Sequence, residues 1–285
     1  MSATEPLPTG RFNTILVATD GSEFSDGAVR IAVAMAKKAE ARLLAVSVVI
    51  TNDVYEEVAP AAAQQAEEKV YDILEKVVAL AAAEGVACRP LVRRAQDPFE
   101  AIVGAAEDEN ADVIVAGRRG KRGLARFMLG DATAKIIGNA KCSVLVVPKA
   151  ATMWQNRLLL ASDGSPSSEA AALAGLRIAF CCHVPATVLS VEVPKHSPER
   201  QAEAARIVER TVAAYAAEGV AVEGVVGRGA PVEEVVATAA RTGSDLIVMG
   251  SHGRTGLGRL MVGSNSLGVI GKVTCPVLVV KGGGA

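Results

Sequence analysis

Short runs of apolar residues alternate with longer stretches of helical periodicity along the whole chain. In the first half, the short runs predict strands. The Ala- and Glu-rich stretches between them predict helices, because their apolar positions recur about every 3.6 residues. The predicted strands lie near residues 13–18, 42–49, 87–93, 112–116 and 143–147. The predicted helices lie near residues 22–39, 62–84, 98–110 and 131–140.

This order of elements predicts an α/β fold. Strands that alternate with helices form a parallel sheet covered on both faces, and right-handed crossovers make that sheet doubly wound. The apolar runs at 43–50, 113–116 and 246–249 are too short to cross a bilayer and suit buried parallel strands. Pro98 and Pro231 are each placed in the first turn of a predicted helix. Ligands of such sheets bind beyond the strand carboxyl ends, where the strand order reverses.

The chain contains the same unit twice. Three segments recur in order, namely 13–32 with 156–175, 111–130 with 244–263, and 142–149 with 275–282. The second copy is shorter, and the missing residues fall around 50–68. We therefore predict two domains of one fold, at 1–150 and 151–285, joined by a polar stretch near Lys149–Gln155. They are called the first and second repeat below.

Composition narrows the classes of function. A net charge of −1 provides no field that would attract nucleic acid or an anionic membrane, and 3% aromatic residues argue against base stacking. The N-terminus lacks the basic and apolar regions of a signal peptide. Five cysteines without paired spacing favour free thiols, and Cys181-Cys182-His183 lacks the spacing of convergent metal ligands. We expect a cytoplasmic protein without a metal site that binds neither nucleic acid nor membrane.

A glycine-rich loop follows the fourth strand of the second repeat. Gly250 and Gly253 allow close approach of the backbone, and nine residues separate Gly253 from the pair Gly263 and Ser264. The latter pair opens a helix whose free N–H groups and dipole favour anions, and Ser264 suits either the N-cap or a phosphate contact. Arg254 is a nearby cation. Neither a P-loop nor a dinucleotide-binding loop after the first strand is present. The loop therefore predicts a phosphate site.

An aspartate ends the first strand of each repeat. Asp20 and Asp163 lie in the sequences TDGS and SDGS, so each faces the fourth-strand loop across the predicted crevice. A carboxylate at this place suits the hydroxyl groups of a ribose. The alternative is that each aspartate only caps the following helix, and the spacing alone does not separate the two interpretations.

At these residues the chain resembles the universal stress protein family in its tandem form. Residues 250–264, GSHGRTGLGRLMVGS, are similar to the ATP-binding pattern G-x2-G-x9-G-[ST] of that family. The resemblance implies two five-stranded parallel sheets of order 3-2-1-4-5, an adenine nucleotide alpha hydrolase-like fold, and ATP as ligand. It implies nucleotide contacts in the second repeat from Ala161, Asp163, Val191, Met249, Gly250, Gly253, Arg254, Gly263, Ser264 and Asn265. In the first repeat it implies contacts from Asp20, Val46, Ala116, Gly117, Gly120 and Gly130.

The resemblance also implies a role for each group. Asp163 would contact the ribose, the backbone near Val191 would meet the adenine, and Met249 with Gly250 would line the ribose side. The phosphates would be held by Gly253, Gly263, Ser264 and Asn265.

The first repeat departs from the pattern at Asp131, where Ser or Thr is expected. Asp is a good N-cap, but two like charges about 4 Å apart repel by about 4 kcal/mol at an effective dielectric near 20. A divalent ion such as Mg²⁺ bridging Asp131 to phosphates would reverse this effect. Compensation is also available from the loop cations Arg118, Arg119, Lys121 and Arg122, unless these are merely solvated. We predict tighter ATP binding in the second repeat.

Three functions are compatible with these patterns. The leading one is an ATP-binding regulator of the stress response, and the others are a slow ATP hydrolase and an interaction protein that binds no nucleotide. Phosphoryl transfer needs metal ligands and a group that positions the nucleophile, and no second acidic cluster accompanies the loop. His252 is a candidate acid or base, but Arg119 replaces it in the first repeat, which favours a backbone role. No catalytic residue is predicted.

The last strand of each repeat is apolar and belongs at a sheet edge. Unpaired apolar edges invite pairing, so residues 143–148 and 276–281 are expected to pair with each other within one chain. A homodimer is a further expected form of assembly.

Overall fold

The computed structural model describes residues 12–51, 58, 60–119, 129–253 and 263–281. The first repeat contains β1 (Thr14–Ala18), α1 (Asp26–Ala39), β2 (Arg42–Ile50), α2 (Pro60–Ala83), β3 (Cys88–Ala95), α3 (Pro98–Asp108), β4 (Val113–Gly117), α4 (Asp131–Asn139) and β5 (Ser143–Val147). The second repeat contains β6 (Leu158–Ala161), α5 (Pro166–Cys182), β7 (Ala186–Glu192), α6 (Pro198–Ala217), β8 (Val222–Arg228), α7 (Pro231–Thr242), β9 (Leu246–Gly250), α8 (Ser264–Lys272) and β10 (Val277–Val280).

The predicted elements of the first repeat are confirmed, and their ends shift by a few residues. The largest shift at a helix start is in α1, which begins at Asp26 because the chain first turns through Gly21 with φ of 67°. Pro98 and Pro231 stand in the first helical turn, as predicted. Proline suits this position because its missing N–H would have no partner within the helix.

The ten strands form one continuous sheet of order β3-β2-β1-β4-β5-β10-β9-β6-β7-β8. Each half has the expected order 3-2-1-4-5 with parallel neighbours. The halves join through β5 and β10, which run antiparallel and place Leu145 opposite Leu278. The expected pairing of the two last strands is thus present within the chain, and neither of these strands is left as an open edge.

Two apolar layers cover the faces of the sheet. Side chains alternate along each strand, so Ile15 and Val17 join the layer beneath α1, α2, α5 and α6, whereas Leu16 joins the layer beneath α3, α4, α7 and α8. Both layers include residues of both repeats. Trp154, in the stretch between β5 and β6, is only 4% exposed and belongs to the first layer.

Two properties concern the chain as a whole. All five cysteines are free thiols, and burial raises the pKa of Cys142 and of Cys275 to about 11. Among the helices that the structure describes, none combines the length and the apolar character needed to cross a membrane.

Candidate functional site

A cavity of about 560 Å³ opens at the carboxyl ends of β6, β7 and β9 in the second repeat. This is the place where the strand order reverses, because β7 and β9 lie on opposite sides of β6. Nine of the predicted contact residues line the cavity, namely Ala161, Asp163, Val191, Met249, Gly250, Gly253, Gly263, Ser264 and Asn265. Arg254, the remaining one, lies outside the described residues.

The aspartate that follows β6 lies directly against the glycine loop that follows β9. A Cβ atom added to Gly253 would lie 3.0 Å from Oδ2 of Asp163. The other carboxylate oxygen, Oδ1, accepts a hydrogen bond from the N–H of Ser165 at 3.0 Å. The N-cap of α5 is Ser165 itself, so Asp163 is not the cap of that helix. The structure therefore favours the interpretation of Asp163 as a residue that faces the crevice.

Gly250 permits the close approach of α5 to the end of β9. A Cβ atom at this position would lie 2.8 Å from the backbone carbon of Ser167 and 2.8 Å from the backbone nitrogen of Ser168. Backbone atoms cannot move aside as a flexible side chain can, so only glycine fits here. The residue is required by packing as well as by any ligand that approaches it.

His252 anchors the loop through its backbone. Its carbonyl oxygen accepts hydrogen bonds from the hydroxyl groups of Ser165 and Ser167 at the start of α5. Its Nδ1 lies 2.9 Å from Oγ of Ser251, whereas its Nε2 is buried and has no hydrogen-bond partner among the described residues. The predicted backbone role thus has a structural basis, and the side chain borders the cavity as well.

The amino-terminal end of α8 borders the cavity. Its N-cap is Gly263 and Ser264 is the first residue of the helix, so of the two roles considered for Ser264 that of N-cap is wrong. The backbone N–H groups of Ser264 and of the residues that follow it in the first turn have no partner within the helix, which suits a phosphate group. The N–H of Gly263 donates to the carbonyl of Ser251 at 3.0 Å, and the hydroxyl of Ser266 donates to Gly250 at 3.1 Å. These bonds fix the loop to the helix.

Two further walls of the cavity were missed in the sequence. The turn before α6 contributes His196, helix α6 contributes Arg200 and Glu203, and α7 contributes Pro231 and Val235. Arg200 and Glu203 are three residues apart, a spacing that places both on one face of the helix. That spacing is visible in the sequence, but the direction in which this face points depends on how α6 packs.

In the first repeat, the aspartate that follows β1 is engaged by the turn after it. Oδ1 of Asp20 accepts hydrogen bonds from the N–H and the hydroxyl of Ser22, at 3.0 and 2.6 Å, and from the hydroxyl of Ser25 at 3.2 Å. The N-cap of α1 is Ser25, so Asp20 is not the helix cap. As at Gly250, a Cβ atom on Gly117 would meet backbone, here the carbonyl oxygen of Phe24 at 2.6 Å. Gly120 lies outside the described residues.

The nucleotide contact that the resemblance implies for Val46 treats this residue as the counterpart of Val191, and that correspondence is wrong. The strand register places Val46 opposite Ala18, just as it places Leu189 opposite Ala161. Val46 is thus the counterpart of Leu189. Its carbonyl oxygen accepts a hydrogen bond at 3.0 Å from the backbone N–H that follows β1, so it has a partner within the fold.

Three charged residues and a phenylalanine lie together at the start of α4 in the first repeat. Nζ of Lys135 lies 2.8 Å from the carboxylate of Asp97 and 3.1 Å from that of Asp131, and 5.3 Å from the ring centre of Phe99. We call these four residues the Lys135 cluster. Gly130 is the N-cap of α4, so Asp131 is its first residue and not its cap. The hydrogen bond from Lys135 lowers the pKa of Asp97, and hydrogen bonds to Asp97 and Asp131 raise the pKa of Lys135.

The Lys135 cluster has no counterpart in the second repeat. The matching positions there, in the same order along the chain, are Ala230, Val232, Ser264 and Gly268. A Cβ atom on Gly268 would lie 2.8 Å from Cγ2 of Val232, so a longer side chain requires this contact to change. The two repeats therefore differ at four positions that lie together, and the difference extends beyond Asp131 alone.

The loop cations of the first repeat are placed differently from the expectation that they surround a phosphate. The guanidinium of Arg118 extends away from its own repeat and donates to backbone carbonyls at the end of α8. Arg119 lies over the ring of Phe24, 5.2 Å from its centre. Lys121 and Arg122 lie outside the described residues. Nζ of Lys135, a helix residue outside that loop, lies 3.1 Å from the carboxylate of Asp131.

A doubly wound parallel sheet with a cavity at the reversal of strand order defines an α/β protein with a candidate ligand site at that reversal. The sequence model of the universal stress protein family matches residues 11–148 and again residues 155–281. The chain therefore belongs to the universal stress protein family, in a tandem form.

Individual relatives agree with this assignment. A universal stress protein of Mycolicibacterium smegmatis is 29% identical over 294 residues, which cover 94% of this chain and 96% of the relative. One from Thermus aquaticus is 36% identical over 137 residues, covering 48% of this chain and 98% of the relative. The crystal structure of a universal stress protein from Archaeoglobus fulgidus has a TM-score of 0.76 and 22% identity, and the match covers 95% of this chain and 99% of that one. This last likeness shows the shared fold.

Proposed function

We propose that the second repeat, residues 151–285, binds an adenine nucleotide, with ATP as the ligand, and that the protein acts as a nucleotide-responsive regulator of the stress response. The observation that supports the proposal is the contact of Asp163 with the glycine loop inside one cavity of about 560 Å³. A carboxylate for ribose hydroxyls, a glycine-lined wall and a helix amino terminus for phosphates meet there.

Each part of the nucleotide has a matching wall. The carboxylate of Asp163 accepts hydrogen bonds from the ribose hydroxyl groups, and the backbone at the end of β7 near Val191 meets the adenine edge. Met249 and Gly250 border the ribose, because both stand at the end of β9 inside the cavity. The phosphates lie at Gly253, Gly263, Ser264 and Asn265, with Arg254 as a further cation. Mg²⁺ would enter with the phosphates of ATP.

The first repeat binds nucleotide more weakly in this proposal. Asp131 brings a negative charge to the helix end that would hold phosphates, and Lys135 is shared between Asp131 and Asp97. The shared ammonium offsets only part of that charge. The counterparts Asp20, Gly117, Gly120 and Gly130 then form a modified site.

A nucleotide extraction tests the proposal directly. Protein purified without added ligand is denatured, and the supernatant is analysed for adenine nucleotides; ATP titration into emptied protein follows. We expect binding by the wild-type chain and by Gly130→Val, and loss of tight binding in Gly263→Val, because the added side chain occupies the helix end. Equal losses in the two variants would contradict the difference between the repeats, and no binding by any of the three would favour an interaction protein without nucleotide.

The slow hydrolase is the second candidate, because the Nε2 atom of His252 is buried at the cavity without a partner among the described residues. Product release from radiolabelled ATP distinguishes a hydrolase from a binding module. We expect no turnover above that of Gly263→Val. Turnover in the wild type that His252→Asn removes would support the hydrolase.

A further inference from the structure

Arg118 connects the two repeats through its side chain. It follows β4 of the first repeat, and its Nη1 donates hydrogen bonds to the carbonyl oxygens of Val273 at 2.9 Å and Ile270 at 3.4 Å. These two carbonyls lie at the carboxyl end of α8, the helix whose other end borders the nucleotide cavity. The last carbonyls of a helix have no partner within it, so a cation from the other repeat satisfies them.

The backbone of the same residue holds the equivalent site of its own repeat, the first, in place. The carbonyl oxygen of Arg118 accepts the N–H of Gly130 at 2.9 Å, and Gly130 is the N-cap of α4. One residue therefore fixes the amino-terminal end of α4 in the first repeat and the carboxyl-terminal end of α8 in the second. Burial, and then the charge of Arg119, lower the pKa of Arg118, which agrees with a partly desolvated guanidinium between the repeats.

The reciprocal contact uses a different residue. Ser251 is the counterpart of Arg118, and its carbonyl likewise accepts the N–H of the N-cap Gly263 at 3.0 Å, but its hydroxyl lies against His252. The end of α4 is instead reached by Lys281, whose Nζ donates to the carbonyl of Gly138 at 3.2 Å. The carboxyl ends of α4 and α8 thus each accept a hydrogen bond from a cationic side chain of the other repeat. The two cations can be substituted separately.

Helix α8 has nine residues, a length at which an isolated helix is marginal in water. An anion at its amino end and a cation at its carboxyl end both favour the ordered helix, because both oppose the charges of the helix dipole. Two ligands that stabilise the same ordered element favour each other's binding. We propose that Arg118 is a positioning residue for the phosphate-binding end of α8, so that the first repeat sets the nucleotide affinity of the second.

This inference depends on the proposed nucleotide binding, and the test separates the two. ATP is titrated into the full-length wild-type protein while hydrogen exchange is followed in a peptide that covers 264–272, which reports on the second repeat alone. The variants are Arg118→Met, Arg118→Gln, Arg118→Lys and, as a control with the same loss of one charge, Lys281→Met. Thermal unfolding of each variant is recorded in parallel.

We expect Arg118→Met and Arg118→Gln to weaken ATP binding at α8 by about fivefold, at the low end of couplings between sites, and to speed exchange at the end of α8 without nucleotide. Arg118→Lys should restore most of the affinity, because both hydrogen bonds arise from one nitrogen. Lys281→Met should leave the affinity unchanged. If Arg118→Met does not fold, the ATP affinities of Arg118→Gln and Arg118→Lys are compared instead, and a weaker affinity in Arg118→Gln supports the inference.

Wild-type affinity in both Arg118→Met and Arg118→Gln would overturn the inference and leave the proposed function intact. An equal loss in Lys281→Met would also overturn it, since a general loss of positive charge would then explain the effect. If ATP gives no protection of residues 264–272 in the wild type, the proposed function itself fails, and the inference fails with it.

Discussion

The ammonium group of Lys135 lies 3.1 Å from the carboxylate of Asp131, one turn earlier on α4. In the second repeat these positions hold Gly268 and Ser264, which cannot form an ion pair. The start of α8, which faces the phosphates in the proposed site, therefore has neutral side chains at these positions. The start of α4 in the first repeat carries an ion pair there. This difference leads to the first two predictions.

Exchange of the residue at the start of the two helices should change nucleotide affinity in opposite directions. Ser264→Asp places an uncompensated carboxylate beside the phosphates, and we expect ATP binding in the second repeat to fall by between about tenfold and a thousandfold, the upper limit being a 4 Å repulsion at a dielectric near 20. Asp131→Ser should strengthen binding in the first repeat. Calorimetric titration in the Gly263→Val background isolates that repeat, and weaker binding there would contradict the prediction.

The carboxyl group of Asp97 should titrate in a way that depends on Lys135. The hydrogen bond from Lys135 lowers the pKa of Asp97 below its ordinary value. The contact therefore stabilises the fold at any pH above the ordinary pKa of an aspartate, and this stabilisation is lost as the pH falls through the lowered pKa. Carbon-detected NMR should give a lower midpoint for Asp97 in the wild type than in Lys135→Met. The effect on unfolding is expected to be small because both side chains remain partly exposed to solvent. Identical midpoints would show that the ion pair does not persist in solution.

Gly250 should be far less tolerant of a methyl group than Gly104 in the middle of α3. A Cβ at Gly250 meets the backbone of Ser167 and Ser168 at 2.8 Å, whereas nothing lies within 4 Å of one at Gly104. We expect Gly250→Ala to lower the free energy of unfolding by about 1–3 kcal/mol, as overpacking does, and Gly104→Ala to raise it by about 0.5–1 kcal/mol through a more favourable helix propensity. Urea unfolding measures both, and equal effects would contradict the close contact.

The junction of β5 and β10 should exchange backbone hydrogens slowly. Both strands are buried and exchange ladder hydrogen bonds around the pair Leu145 and Leu278, so their amides open only with large parts of the sheet. Peptides covering 143–147 and 277–280 are expected to be as protected as those of β1. Exchange as fast as in surface loops would exclude the pairing. A homodimer remains a prediction, and sedimentation at two concentrations tests it.

The sequence was sufficient for much of the site because the chain presents it twice. The recurring order of strands and helices identified the sheet, and the spacing from Gly250 to Ser264 identified the residues that the cavity brings together. Assigning the strands was enough to locate the site, because parallel strands bring their carboxyl ends to one edge of the sheet. The errors at Val46, Ser264 and Asp131 arose where the answer depended on strand register or on the first residue of a helix, which a spacing does not fix.

By itself, the sequence determined the fold of each repeat, the position of the crevice and the glycine loop beside it, because hydrophobic periodicity and backbone freedom act over short stretches of chain. Only the tertiary structure decided which distant groups meet. It brought the side chain of Arg118 to the end of a helix in the other repeat and Lys135 between two carboxylates. It also placed three polar residues on the cavity wall, namely His196, Arg200 and Glu203. The reason is physical: the direction of a long side chain is set by the packing of elements far apart in sequence, which no local pattern records.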